Sequence, residues 1–425
     1  MPRPRFRQPA TLMKKLDPRD VLRVAGVTAG AAASVPVLAA LSVTAIDWVM
    51  QVGRKRRQAP RPGTFHASVE EAKFTVYTSG AELYDDMIEA IDAAEEAVYL
   101  ETYIWKNDEV GQRFVDALNA AADRGVDVFA LYDGFANLVV PHTFYKQLSD
   151  DVRVYRLPVV GKRFWKGPLQ HTGFNHSKIL VVDDHVGFVG GYNIGSVYAK
   201  HWRDTHVRVV GPGVWGLKNS IAQLWNIIHD PQDQIAWTPP PSWNPEVLVQ
   251  SNLPVQLVYP IRNTYLKAIA RAQDHIWITT PYFIPDQQIL TALVTAAERG
   301  VDVRVMVPQK SNHVVADWTS RGFYGQLLDA GITVLLYESA MIHAKVATID
   351  GEWSTVGTAN IDRLSLSFNY ETNVEIIDPR FAEEMEKIFH ADSEHCEVLE
   401  SSDWMDRHPA ARAVEVAMTP LRPFL

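Results

Sequence analysis

His176-Ser177-Lys178-Ile179-Leu180-Val181-Val182-Asp183 returns later in the chain as His343-Ala344-Lys345-Val346-Ala347-Thr348-Ile349-Asp350. Both stretches read as strands, because apolar and β-branched residues fill the space between Lys and Asp. A strand's period of two then sets each His on the same face as its Lys. The agreement continues at a single offset of 167 residues (343 − 176): Gly190 and Asn193 answer to Gly357 and Asn360, and Asp204 answers to Glu371. One His-x-Lys-x4-Asp string is a weak signal, but two with the same trailing Gly, Asn and acid mark a duplication. Lys and His recurring where apolar strand residues would pack more easily point to chemistry. The expectation is one active site built from two halves.

Outward from the motifs the halves stay parallel. Ala97 to Tyr103 reads as a buried strand, followed by a helix over Gly111 to Arg124 and a strand from Val126 to Tyr132. Ile276 to Tyr282, Gln288 to Arg299 and Val301 to Val307 repeat that order. Arg124-Gly125-Val126-Asp127-Val128 and Arg299-Gly300-Val301-Asp302-Val303 close the helices in nearly the same words, with Gly as the expected stop. There the offset is 175 (300 − 125), so the first half carries 8 extra residues (175 − 167) before its motif. The expected place for them includes Val159 to Gly167, whose basic and aromatic residues suit either a membrane-facing loop or a solvated one.

At 425 residues and 47% apolar content the chain can bury the cores of two fused α/β units. Its single cysteine, Cys396, excludes an intramolecular disulfide and a zinc site built on paired cysteines. The charge is unevenly spread. Residues 1–61 hold twelve Lys/Arg against three Asp, a net +9, which leaves the remainder at −18 within the total of −9. A body that acidic is a poor nucleic-acid binder, since neutralising phosphates takes a basic face.

The sequence divides into a basic disordered tail (1–23), an uncharged membrane-anchor helix (24–46) and a linker (47–66). A first α/β domain (67–236), a proline-rich linker (237–250), a second domain (251–395) and a C-terminal tail (396–425) follow. The uncharged run of 23 residues is long enough to cross a bilayer, and longer than the apolar core of a cleaved signal, its competitor, usually is. Lys/Arg clusters flank it on both sides, so its orientation is unreadable, and both could sit on anionic headgroups. A short amphipathic helix through Ala410 to Met418 could lie on the bilayer or on the protein.

If the halves pair about a pseudo-twofold axis, one cleft holds His176, Lys178 and Asn193 with His343, Lys345 and Asn360. That set suits a phosphodiester. The lysines offer point charges to the non-bridging oxygens, and the amides add neutral donors. One imidazole can attack phosphorus while the other protonates the departing alkoxide. Neither a metal nor a cofactor is called for. A nucleophilic His needs its second nitrogen held by an acceptor. Asp204 and Glu371, each 28 residues beyond the His of its own copy (204 − 176; 371 − 343), are the candidates. Asp183 and Asp350 complete the motif as candidate catalytic residues; beside Asp184 and Gly351 they also fit the commoner role of turn acid. His171, His185, His201 and His206 match no ligand spacing, and only His206, two residues past Asp204, could share the cleft face.

These residues resemble the phospholipase D superfamily, whose signature is His-x-Lys-x4-Asp with a downstream Gly-x-x-Asn. Glu101-Thr102-Tyr103-Ile104, Trp202-Arg203-Asp204-Thr205-His206 and Thr280-Pro281-Tyr282-Phe283-Ile284-Pro285-Asp286 are similar to its bacterial cardiolipin synthase branch. The resemblance runs from about Phe74 to the C-terminus. It implies two pseudo-twofold-related α/β domains with mixed sheets flanked by helices, a shared cleft and a covalent phosphohistidine, with His176 as nucleophile and His343 as acid and base. The implied activity is a membrane-bound bacterial phosphatidyltransferase that makes cardiolipin from two phosphatidylglycerols and releases glycerol. A hydrolase yielding phosphatidic acid is the alternative, and a phosphodiesterase acting on nucleic acid is a second that the −18 body disfavours. The expected partners are phospholipids and an anionic membrane surface; oligomeric state and membrane side are left open.

Overall fold

A computed structural model describes residues 41–42, 45–46, 59–158, 173–239 and 246–424. The tail at 1–23, nearly all of the expected anchor, most of the first linker and the 159–167 loop lie outside the described residues. Among those described, no helix is long and apolar enough to cross a membrane.

Two sheets of eight strands form the frame. The first contains β1 (Thr64–Val69), β2 (Ala72–Tyr77), β3 (Ala97–Thr102), β4 (Asp127–Asp133), β5 (Val152–Leu157), β6 (Ile179–Val182), β7 (Val186–Gly190) and β8 (His206–Val210). The second contains β9 (Val247–Asn252), β10 (His275–Thr279), β11 (Asp302–Pro308), β12 (Thr333–Tyr337), β13 (Val346–Ile349), β14 (Trp353–Gly357), β15 (Glu371–Ile377) and β16 (Cys396–Val398). Their orders are β1-β2-β8-β7-β6-β3-β4-β5 and β9-β15-β14-β13-β10-β11-β12-β16. Seven strands match position for position, and β1 and β16 are extra edges at opposite ends. Parallel pairing among β3, β4 and β5 adjoins antiparallel pairing of β3 with β6 and onward, so the sheets are mixed as expected. The second sheet repeats this.

The expected boundaries shift at both ends. Thr64 to His66, read as linker, already pair within β1, and Cys396–Val398, read as the start of the tail, closes the second sheet against β12. Both are edge strands, where pattern is weakest. Helices α1 (Gly80–Asp92) and α2 (Glu109–Asp123) cover the outer face of the first sheet. Asp108 caps α2 and Asp286 caps its counterpart Gln287–Glu298, each carboxylate accepting from first-turn amides. Gly125 and Gly300 then end both helices at φ +88° and +93°, the left-handed stop the sequence predicts.

Between the sheets lies a common core fed by both halves. Helix Val214–Ile228 of the first half and helix Pro379–Ser393 of the second contribute Leu217, Ile221, Trp225, Phe381 and Met385 to it. With helices outside and this core inside, β6 and β13 are buried on both faces, which explains why neither alternates apolar with exposed polar residues. The C-terminal helix Pro409–Met418 rests on the protein: Met418 is fully buried and Glu415 pairs with Arg321 and Arg407.

Candidate active site

Each motif histidine is fixed first by backbone from the other half. The amide of His176 donates to the Tyr370 carbonyl at 3.0 Å, and that of His343 donates to the Arg203 carbonyl at 2.7 Å. Trp202–Arg203 and Met341–Ile342 pair as a two-residue parallel ladder, and Asn175 bridges Tyr370 in the symmetric place. These short crossings bring the start of each motif strand against the acid-bearing segment of the other half.

The acids therefore cross over. His176 Nδ1 lies 3.0 Å from Glu371 Oε2, and His343 Nδ1 lies 2.6 Å from Asp204 Oδ2. Sequence spacing matched each acid to its own copy; in the fold the carboxylate comes from the other copy. The acids sit where β7 leads into β8 and β14 leads into β15, and close strand approach is what lets them reach. A Cβ at Gly190 would stand 2.5 Å from the His206 Cα, one at Gly357 2.5 Å from the Asn373 Cα, and one at Gly191 1.9 Å from the Asp204 carboxylate. Thr358 adds a 2.6 Å hydrogen bond from its hydroxyl to Glu371 Oε2.

Lys178 and Lys345 are buried to 2% and 1% exposure and reach back to their histidines. Lys178 Nζ donates to the His176 carbonyl at 2.6 Å, and Lys345 Nζ stands 3.0 Å from His343 Nε2. Burial, and then the Lys345 charge, pushes the Lys178 pKa down to about 7; burial alone is the main cause that lowers Lys345 to about 8. Desolvation also lowers His176 to about 4, opposed by Glu371, and holds His343 well below its usual value with help from the lysines. Burial raises Asp204 to about 6 against the pull of Lys345. Burial thus favours the neutral imidazole at both positions, and each ring sets its Nδ1 against a carboxylate.

The cleft has a volume of about 400 Å3, and His176, His343, Asn193 and Asn360 line it together. Asn193 Oδ1 accepts from the Ile104 amide, while Asn360 Oδ1 has no partner among the described residues. Tyr103 and Trp202 pack on the edges of His176 and His343, with ring centres 4.7 Å apart in both cases. Phe135, Phe174, Ile284 and Leu364 make much of the wall apolar, while Asn312, His313, Asp362 and Asn369 also line it.

Asp183 and Asp350 are elsewhere. They occupy left-handed turn positions (φ 50° and 55°) at the far end of the motif strands, about 23 Å of extended chain from each His. Asp183 accepts from the amides of Glu95, Glu96 and Ala97, and Asp350 from those of Gln273, Asp274 and His275. They hold the hairpin turn to the start of β3 or β10, which is the turn role and not a place in the cleft. His206 is buried without a hydrogen-bond partner for either nitrogen among the described residues, and burial lowers it to about 3; it does not line the cleft.

Residues 87–225 and 265–393 match the family described as "Cardiolipin synthase, PLD-like domain". The chain belongs to that family. It is 34% identical over 343 residues to the major cardiolipin synthase ClsA of Bacillus subtilis (strain 168), spanning 76% of this chain and 69% of that one. It is 32% identical over 357 residues to cardiolipin synthase 1 of Staphylococcus epidermidis, spanning 80% and 71%. A phosphatidylserine synthase from Haemophilus influenzae Rd KW20 shares the fold, with a TM-score of 0.59 at 17% identity over 85% of this chain and 94% of that one.

Three features of this cardiolipin synthase-family site escape the motif. Arg203 is fully buried and forks onto Asp392, Nη2 to Oδ2 at 2.7 Å and Nε to Oδ1 at 2.9 Å, which ties the segment before Asp204 to the second half. Glu101 is buried in β3 near Lys178, and desolvation raises it to about 8. By strand register Thr279 holds the same place in the second half. The signal was present: an acid inside an apolar strand and an arginine beside a motif acid both break the pattern. Thr358 carried none.

Proposed function

We propose that the protein is a phosphatidyltransferase that joins two phosphatidylglycerols into cardiolipin through a phosphohistidine on His176. The supporting observation is the pair of crossed His–acid contacts at one largely apolar cleft, with a buried lysine behind each cleft-lining histidine. A phosphodiester between the lysines places phosphorus before His176, whose Nε2 is the ring nitrogen that Glu371 leaves unused. Lys345 Nζ stands 2.8 Å from His343 Nδ1 and 3.0 Å from its Nε2, whereas Lys178 reaches the His176 carbonyl, an asymmetry that favours His176 as nucleophile.

In the first step the His176 Nε2 lone pair bonds to phosphorus, and the bond from phosphorus to the headgroup oxygen breaks. His343, as imidazolium, gives its proton to the departing glycerol oxygen. The arriving phosphate supplies the condition for that proton. Its negative charge offsets the lysines that, after burial, hold His343 low, so His343 rises toward protonation as substrate binds. Glu371 steadies the charge that develops on His176, and Asp204 does so for His343. In the second step a hydroxyl of the next phosphatidylglycerol gives its proton to His343 and its oxygen attacks phosphorus. The P–N bond breaks, His176 is restored, and cardiolipin is formed.

Incubating the full-length protein with phosphatidylglycerol vesicles and resolving products by mass spectrometry tests this. Cardiolipin with glycerol, both absent with His176→Ala, is the expected result. Phosphatidic acid as the main product would instead make the enzyme a hydrolase.

A further inference from the structure

We infer that the loop at residues 134–141, on the rim of the cleft, is a bilayer-docking element that seats the cleft mouth on the lipid surface. The inference rests on the phospholipid reading of the cleft. The loop follows β4 and reads Gly-Phe-Ala-Asn-Leu-Val-Val-Pro, with no charge in eight residues of a body whose net charge is −18. Its large side chains point to solvent: Phe135 is 45% exposed, Leu138 59% and Val139 83%.

That exposure is built into the loop. Asn137, 1% exposed, accepts from the Trp105 amide and donates to the carbonyls of Tyr103 and Asp133. Asp133 Oδ1 accepts from the amides of Phe135 and Ala136, and Gly134 bonds the Leu157 carbonyl. With the polar groups tied inward, the apolar ones have only the outside left. Contiguous exposed apolar groups on a rigid loop signal a partner surface.

Position identifies the partner. Phe135 packs against Phe174 at 4.7 Å between ring centres, and both line the cleft, so Phe135 joins the loop to the cleft's apolar wall. The other oxygen of Asp133 holds the Asn175 amide, one residue before His176. A phospholipid moving from a bilayer into the cleft would cross this loop with its acyl chains still in apolar surroundings. Lack of charge spares the loop both repulsion from anionic headgroups and the desolvation of an ion.

The test uses the full-length protein carrying Cys396→Ser and Val139→Cys, labelled with an environment-sensitive dye, on phosphatidylglycerol vesicles. Blue-shifted emission, quenched by nitroxide lipids, is expected at 139 but not at a control label on exposed Asp123→Cys. A label at 139 that stays in water would overturn the inference. So would one that loses water only as protein concentration rises without lipid, since a second copy would then cover the patch. In activity, the Leu138→Asp, Val139→Asp double variant should lose about ten-fold on vesicles yet keep wild-type turnover of a short-chain phosphatidylglycerol below its micelle concentration. Equal loss on both substrates would overturn the inference. A wild-type protein inert on both would sink the proposed reaction instead, leaving the dye measurement to decide the loop.

Discussion

His176 and Glu371 stand 195 residues apart in sequence and 3.0 Å apart in the fold, one from each half. Because His343 and Asp204 make the reciprocal contact, neither half contains a complete His–acid pair. A single half by itself would hold a histidine without its orienting carboxylate.

Glu371→Gln keeps a hydrogen-bond partner at His176 but loses the charge that stabilises the cation formed there. We expect turnover to fall by about 10²–10⁴ with the fold intact. Asp204→Asn should fall comparably but act on proton transfer. A rapid denaturing quench at neutral pH, which spares the acid-labile P–N bond, followed by mass spectrometry separates the roles: His176→Ala gives no covalent adduct, whereas His343→Ala forms one slowly or retains it. An adduct on His343 in the wild-type enzyme would reverse the assignment.

The buried lysines set a pH dependence. Lys178 and Lys345 are lowered to about 7 and 8, so in the free enzyme their charge is present below that range and is lost as pH rises through it. Since kcat/KM reports groups of the free enzyme, it should begin to decline above about pH 7 and fall more steeply above about pH 8. Lys178→Arg, with a cation that does not titrate, should shift that limb upward while lowering the maximal rate, because its planar fork does not replace a point charge. A profile flat to pH 10 would show that both lysines keep their protons.

Asp183 should matter for stability and not for chemistry. Asp183→Ala strips the acceptor from three backbone amides, a loss of about 2 kcal/mol after partial solvation of the turn. Urea denaturation should register that loss while kcat on soluble substrate stays within about two-fold. A drop in kcat as large as that of Lys178→Met would return Asp183 to the catalytic group.

How much of this was legible depended on whether a constraint is local. The strand periods, the Gly125 and Gly300 helix stops, and the His and Lys of each motif are matters of neighbouring residues, and the fold keeps them. The crossing of Glu371 to His176 depends on how two sheets face each other. No spacing encodes that, and equal 28-residue separations pointed to the wrong half. Cys396–Val398 was hidden for a similar reason: a three-residue edge strand has too little pattern to announce its partner. Glu101 could be seen as an acid in an apolar strand, but its place near Lys178 required strand register.

Arg203 offers the sharpest separation of architecture from chemistry. Its guanidinium is fully buried and held by Asp392 from the other half, and its own carbonyl positions the His343 amide. Removing either partner leaves a lone buried charge, so Asp392→Ala and Arg203→Ala should each cost about 3–5 kcal/mol. Arg203→Lys should not restore wild-type stability, because an ammonium cannot make the two-pronged contact. Replacing both partners with apolar residues should recover much of the stability, since no unpaired charge then remains. If the Arg203→Met, Asp392→Leu protein folds but stays slow, the ion pair serves to set Asp204 against His343. Wild-type turnover in that variant would mean that the ladder of Trp202–Arg203 with Met341–Ile342 is sufficient to position the acid.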